Sequence, residues 1–191
     1  AVSLKLYAYP DFGLYIYRSK RFYLAIRCGS IGQNGNGGHA HNDQLSIELN
    51  IDGKDIISDP GTYLYTPLPE RRNEYRSVKA HFAPQVKGRE PANLNENLFK
   101  LGNAVSGECL YFGIEGFVGR HYGYGSKICF YTNFQECKLK ILHIYAQSMQ
   151  QFIEIPWMFS NFKNINTVYN FGKHPPANNF YSSSYGRKIA L

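Results

Sequence analysis

The sequence predicts an all-β fold, an antiparallel two-sheet β-sandwich. Three observations carry that prediction. Apolar and polar residues alternate with a period of two in several separate segments, as in strands with one buried face. No window shows a good 3.6-residue period. Aromatic residues are abundant, with 16 Tyr, 13 Phe and 1 Trp, and such rings favour strands over helices.

The elements follow in chain order. Leu14–Arg18 and Phe22–Arg27 read as two strands about a tight Ser19-Lys20-Arg21 turn. Leu45, Ile47, Leu49 and Ile51 alternate with Gln44, Ser46, Glu48 and Asn50, which predicts a half-buried strand with its apolar side in the core. Asp52-Gly53 turns the chain, and residues 55–59 return beside that strand. Residues 67–79 are polar and Arg-rich and read as a loop. Further strands are expected at 108–114, 127–133 and 139–146, with a turn at 133–136. The tail from 171 to 191 is rich in Pro, Asn, Ser and Gly, with Phe180, Tyr181 and Tyr185 as anchors.

Composition bounds the function. A chain of 191 residues is enough for one domain with its own core, spanning 1–191. With 43% hydrophobic and 18% charged residues, it is neither a disordered tail nor a coiled coil. Its uncharged apolar stretches fall well short of the ~20 residues a membrane-spanning helix needs. Residues 1–6 are too short and mixed for a signal peptide, so the chain reads as a mature protein or a piece of a longer one. The net charge of +7 suits a polyanion: nucleic acid, anionic lipid or acidic polysaccharide. Nucleic acid is disfavoured, because the basic residues form no 5–8-residue run and the aromatics alternate into strands. Cys28, Cys109, Cys129 and Cys137 form no C-x-x-C pair and read as four buried or half-buried thiols.

One stretch stands apart: Gly35-Asn36-Gly37-Gly38-His39-Ala40-His41-Asn42-Asp43-Gln44-Leu45-Ser46. On an extended chain His39, His41 and Asp43 share a face. Asp59-Pro60-Gly61-Thr62-Tyr63 and Arg76-Ser77-Val78-Lys79-Ala80-His81 follow. Two imidazoles and a carboxylate make a reasonable zinc shell, and a third histidine is left for proton transfer. The same residues also serve as turn caps and hydrogen-bonded surface histidines. With a three-residue Asp52-Gly53-Lys54 loop, the register puts Asp59 opposite Ile47, six residues from His41, too far at ~3.3 Å per residue to share an ion. The chain must therefore kink between His41 and Leu45 for such a site to form. Elsewhere His121 and His143 read as structural, His174 as exposed and Trp157 as core, whereas Tyr63 and Tyr65 suit either sugar stacking or packing. The glycines before His39 do not make a phosphate loop, since neither a helix nor a Gly-Lys-Ser/Thr follows.

Three blocks carry a family resemblance. They are Gly38-His39-Ala40-His41-Asn42-Asp43-Gln44-Leu45-Ser46-Ile47-Glu48-Leu49, then Ile57-Ser58-Asp59-Pro60-Gly61-Thr62-Tyr63, then Arg72-x-x-x-Arg76-Ser77-x-x-Ala80-His81. In order and spacing they resemble the C-terminal domain of the heparinase II/III-like family. Tyr9-Pro10-Asp11-Phe12-Gly13-Leu14-Tyr15 and Gly119-Arg120-His121-Tyr122-Gly123-Tyr124 extend the likeness. The family contains polysaccharide lyases, with an N-terminal α/α toroid before a C-terminal β-sandwich, and only the sandwich has a counterpart here. The resemblance implies His39 as the catalytic proton-transfer residue, and His41, Asp59 and His81 as ligands of a structural zinc. It places Arg71, Arg72 and Arg76 in a loop region that meets substrate carboxylates, without choosing among them, and Tyr63 is the aromatic candidate beside them for stacking on sugar. It implies an acidic, uronate-containing polysaccharide, the toroid of the same parent protein as partner, and a periplasmic or secreted location. Ala80-His81-Phe82-Ala83 departs from the family's usual Ala-His-Asn-Thr, which alters the surroundings of His81. The rival reading is a non-catalytic module that binds acidic glycan or braces its partner domain in a polysaccharide synthesis or export protein.

Overall fold

The computed structural model describes residues 4–32, 35–64, 66–86, 88–97, 99–102, 105–114 and 116–124, and the backbone of the strands beyond. Five antiparallel strands, β1 (Lys5–Tyr9), β2 (Leu14–Arg18), β3 (Phe22–Arg27), β4 (Ile47–Ile51) and β5 (Lys54–Ile57), form one sheet in sequence order. A second five-stranded antiparallel sheet holds β6 (Glu108–Gly113), β7 (Gly116–His121), β8 (Ile128–Gln135), β9 (Lys138–Tyr145) and β10 (Ser148–Pro156). Two short strands, β11 (Phe180–Tyr181) and β12 (Ile189–Ala190), pair separately. Between the sheets in sequence lie a helix, α1 (Pro69–Arg76), and a 3-10 turn, Val78–Ala80.

The predicted sandwich is the observed one. Cross-strand neighbours share a face, so the pairs Leu6 with Tyr17, Tyr17 with Leu24 and Leu24 with Leu49 run along the inner side. Tyr17, Phe22, Leu24, Ile26, Ile47, Leu49 and Ile51 are buried there. The second sheet meets them through aromatic rings: Tyr15 lies 5.2 Å from both Phe112 and Phe117, and Tyr17 lies 4.9 Å from Phe112. The Tyr17 hydroxyl donates to the Gly113 carbonyl at 3.0 Å, so the ring is buried without an orphaned polar end. Gly119 lets the sheets close: a Cβ there would stand 2.9 Å from Leu45 Cδ2.

The structure corrects several sequence expectations. Residues 67–79 are not a loop, because α1 occupies most of them. Pro69 starts the helix where its missing N–H costs nothing, Glu70 sits in the first turn and Arg76 in the last. Its buried residues are Arg72, Tyr75 and Arg76, so no apolar period betrays it. Strands β1, β7 and β10 had no counterpart in the sequence reading. The β4–β5 turn is the two residues Asp52-Gly53, and a bulge at Leu49/Asn50 restores the pairing of Leu49 with Ile57. The β8–β9 turn falls after Gln135, which pairs with Lys138, so Cys129 faces Ile144. Cys28 and Cys109 are free thiols, and burial, then the neighbouring Cys109, pushes Cys28 up to about 12. The Cys129 and His143 side chains, Cys137, Tyr65, Trp157, His174 and Tyr185 lie outside the described residues, as do the side chains of Phe180 and Tyr181. Among the described residues no helix is long and apolar enough to cross a membrane.

His121 ends β7 inside the protein. Its Nδ1 accepts the Gly123 N–H at 3.0 Å, its ring lies against Tyr124, and burial pushes its pKa down to about 4. Between about pH 6.5 and about pH 4 the unfolded chain therefore binds a proton that the folded chain refuses. Stability is expected to fall as pH drops through that window, and His121→Gln should flatten the slope in urea denaturation. An unchanged slope in the variant would show that His121 does not couple folding to pH.

Candidate functional site

A cleft of about 640 Å³ opens on the outer face of the first sheet. Its lining includes His39, His41, Asp43 and Asp59, together with Arg27, Leu14 and Glu48 from the strands and Phe12 from the β1–β2 turn. The His39 segment reaches it as a loop, not as the extended strand that parity implied. His39 itself sits at φ +59°, exposed, with its backbone N–H donating to the Phe99 carbonyl at 2.8 Å and its ring 5.5 Å from the Phe99 ring.

Alternate residues of the next stretch do opposite work. Asn42 and Gln44 are buried, and each side-chain amide pairs with a backbone as a strand would. The Asn42 amide donates to the Ala92 carbonyl at 2.9 Å and its oxygen accepts the Ala92 N–H at 3.2 Å. The Gln44 amide donates to the Gly29 carbonyl at 2.9 Å and its oxygen accepts the Gly29 N–H at 3.2 Å. That leaves His41 and Asp43 to the cleft. Leu45 then takes φ +63°, and the Ser46 N–H closes a turn onto the Asp43 carbonyl at 2.9 Å. This is the kink that the zinc reading required. Leu45 remains in the core, although the strand proper starts at Ile47.

With the chain so turned, His41, Asp59 and His81 meet. The His41 and His81 rings lie 5.3 Å apart, and His81 Nδ1 is 2.6 Å from Asp59 Oδ2. Burial pulls His81 down, but the Asp59 hydrogen bond and charge, then Asp43, outweigh it and hold the imidazole above its ordinary value. Burial likewise opposes the Asp59 carboxylate, but the His81 bond and charge hold it below its ordinary value. His41 is driven down, by burial first and then by His81. His81 Nε2 is buried and has no hydrogen-bond partner. Among the described residues no group of three or more His, Cys, Asp or Glu stands in a metal-holding arrangement. The residue types, two imidazoles and a carboxylate, are those that zinc takes, although the Asp59 carboxylate is bonded to His81 Nδ1 and not turned to the unpartnered Nε2.

The predicted substrate residues are divided. Arg72 and Arg76 are each only 2% exposed. Arg76 Nε donates to the Ala40 carbonyl at 3.1 Å, and the Arg76 carbonyl accepts the Asn42 N–H at 2.9 Å, so Arg76 grips the His41 segment on both sides. The Arg72 guanidinium lies over the Phe99 ring, 5.6 Å from its centre. Arg71 is exposed and pairs with Glu74 at 2.9 Å. None of the three lines the cleft. Tyr63, at φ +64°, follows the cleft residue Thr62 and lies 5.3 Å from the Tyr75 ring.

The sequence reading missed Asn42, Gln44 and Glu90. The Glu90 carboxylate accepts from Asn42 Nδ2 at 2.8 Å, Ser77 Oγ at 2.5 Å and the Val78 N–H at 2.9 Å. It thereby joins the segment bearing His41 to the turn bearing His81. Asn42 and Gln44 fall at the polar parity of the alternating run, so the pattern marks them as outward-facing; Glu90, in a segment without period, gives no signal either. Glu90→Ala leaves donors without an acceptor, each costing about 1–3 kcal/mol. A total loss of about 2–4 kcal/mol is expected in urea denaturation, with Glu90→Gln, which keeps one oxygen, losing less. Losses below about 0.5 kcal/mol in both variants, the range of ordinary surface changes, would show that this clasp carries no weight.

Comparisons with known proteins agree with this architecture. A family model described as heparinase II/III-like, C-terminal, matches residues 2–130. The solved structure of heparinase III is similar at a TM-score of 0.58 and 14% identity, over 73% of this chain and 22% of that one. Heparan sulfate lyase HepC from Pedobacter heparinus is similar at a TM-score of 0.56 and 17% identity, over 73% of this chain and 22% of that one. The chain thus spans about a fifth of the length of these structures, and likeness at this identity speaks for the fold alone. No curated protein matches. With the family model covering well over half of its residues, this chain belongs to the heparinase II/III-like C-terminal family.

Proposed function

We propose that this chain is the β-sandwich part of a lyase that cleaves acidic, uronate-containing polysaccharide by β-elimination, with His39 as a proton-transfer group. The observation that carries the reading is the exposed His39 imidazole, fixed by its backbone at the wall of a cleft that also holds His41, Asp43 and Asp59. In the elimination, a base takes the proton at C5 of the uronate. The electron pair forms the C4–C5 double bond, the C4–O bond breaks, and an acid protonates the departing oxygen. Histidine suits either proton role near neutral pH. Tyr63, beside the cleft, and exposed Arg71 are the residues proposed to meet substrate, while buried Arg72 and Arg76 hold the loop in place. A second proton-transfer group and the group that neutralises the uronate carboxylate are assigned to the toroid domain of the parent protein.

His41, Asp59 and His81 are the residues proposed to hold zinc. When bound, it supplies a cross-link between three chain segments, so its binding energy is also folding energy. Metal analysis of the purified protein should find zinc, and His41→Ala should lower the melting temperature and remove the metal. Protein that contains no divalent metal, takes up none and is indifferent to His41→Ala would refute that assignment.

The catalytic proposal is tested on the intact protein. His39→Ala should reduce formation of the ultraviolet-absorbing unsaturated product by about 10²–10⁴-fold with the fold intact. Residues 1–191 alone should be as poor, since at least two further groups are missing. Full activity in His39→Ala would remove the histidine from the chemistry. A wild-type protein that binds uronate polymers but never yields the unsaturated product would favour a non-catalytic glycan-binding or domain-bracing module.

A further inference from the structure

The cleft does not end at its own wall. Leu14 lines it, and Leu14 pairs across the sheet with Tyr9 of β1. Cross-strand partners share a face, so Tyr9 lies on the same outer side. Tyr7 opposite Ile16, and Lys5 opposite Arg18, continue that side toward the far end of β1, while Tyr15 and Tyr17 fill the inner side. Phe12, in the turn between β1 and β2, lines the cleft itself. The three rings are open to solvent: Phe12 is 74% exposed, Tyr9 50% and Tyr7 40%. One exposed ring needs no explanation, but a file of three leading out of a polar cleft does.

The turn that bears Phe12 is anchored through its backbone. The Phe12 N–H donates to the Tyr9 carbonyl at 3.1 Å and the Gly13 N–H to the Pro10 carbonyl at 3.0 Å. Arg27 Nη1 donates to the Phe12 and Gly13 carbonyls at 3.3 and 3.1 Å, and the Cys28 N–H to the Gly13 carbonyl at 2.8 Å. Gly13 sits at φ +68°, and a Cβ there would stand 2.9 Å from the Gly29 Cα, so the turn is seated against the β3 end. A backbone held in this way has little freedom to lose on binding.

We propose that Phe12, Tyr9 and Tyr7 form a stacking track that carries further sugar rings of an acidic oligosaccharide out of the cleft, with Lys5 and Arg18 meeting its anionic groups. Pyranose rings present flat C–H faces that pack on aromatic faces, and rigid aromatics supply contact area at low entropic cost. From Lys5 to Tyr9 the strand runs ~13 Å, room for more than one sugar unit. A single file of rings ending in two cations suits a linear anionic glycan better than a broad protein surface. The proposal rests on the acidic-polysaccharide reading of the cleft and adds to it a site outside the reacting centre.

The test uses the intact protein and size-defined uronate oligosaccharides, a disaccharide and an octasaccharide, titrated calorimetrically. Tyr9→Ala should weaken octasaccharide binding at least fivefold while leaving the disaccharide and the melting temperature unchanged, and Phe12→Ala should weaken octasaccharide binding at least fivefold with the melting temperature unchanged. Tyr9→Leu, which keeps an apolar side chain without a ring, should be as weak as Tyr9→Ala. Lys5→Ala combined with Arg18→Ala should reduce the salt dependence of octasaccharide binding. Octasaccharide binding in Tyr9→Ala and Phe12→Ala equal to wild type, or a wild type that binds no octasaccharide, overturns the track. A drop of several degrees in melting temperature with affinity unchanged also overturns it, and marks the strip as a docking face for the rest of the protein. Product formation is measured separately, so a failed lyase assignment with ring-dependent octasaccharide binding leaves the track standing.

Discussion

The site depends on one change of backbone direction. Between His41 and Ile47 the chain leaves a loop and enters the first sheet, and it does so through Leu45 in a left-handed conformation. A bulky residue there costs on the order of 1–3 kcal/mol. Burying the same leucine side chain stabilises by about 1.5–3 kcal/mol, so the core offsets what the turn costs. The Leu45 N–H donates to the Arg27 carbonyl at 2.7 Å, and the Arg27 N–H to the Ser46 carbonyl at 2.9 Å, so the kink is tied to β3 as firmly as a strand would be. Had the chain run straight, His41 would stand far along the sheet from Asp59. The kink brings the two within reach of His81.

Behind the cleft, the His41 segment is held by a network of polar groups. Arg76 and Glu90 both act on the His41 segment, the first through Ala40 and Asn42, the second through the Asn42 side chain. Glu90 also receives Ser77 and Val78, which precede His81. Buried polar groups of this kind are tolerated only when bonded, and once bonded they fix a single arrangement. The loops are therefore positioned by a network rather than by apolar packing. That explains how histidines on two loops keep a defined separation. The buried His81 Nε2 and Tyr75 hydroxyl are exceptions to that rule among the described residues.

Much of the fold was legible because the first sheet buries one face. Leu45, Ile47, Leu49 and Ile51 alternate in sequence and are all buried. The helix α1 was not legible, because it buries arginines and a tyrosine rather than an aliphatic stripe, and a 3.6-residue apolar period never forms. In the site, the residue types at 39, 41, 59 and 81 could be singled out, and the need for a kink followed from strand spacing. The means of making it could not be read, since neither a leucine at φ +63° nor side-chain amides standing in for strand partners have a local signature. Arg72 and Arg76 show the same limit. Sequence marks them as cations, and only packing shows them facing inward.

The two faces of the first sheet divide the labour. The inner face is committed to the aromatic and aliphatic core, and Tyr15 and Tyr17 lock it to the second sheet. The outer face carries Leu14, Arg27 and Glu48 into the cleft at one end and presents Tyr7 and Tyr9 at its β1 edge. Because side chains alternate, every residue of β1 and β2 that stabilises the sandwich is flanked by one available to a ligand. Stability and recognition are thereby separated at neighbouring positions. Truncating Tyr17 removes a buried ring and its hydrogen bond to Gly113, whereas truncating Tyr9 removes surface that contributes little to folding. Such a sheet allows the outer positions to change with the ligand while the inner ones hold the frame. The kinked loop, anchored to the same sheet through Arg27, keeps the histidines in register with whatever the outer face binds.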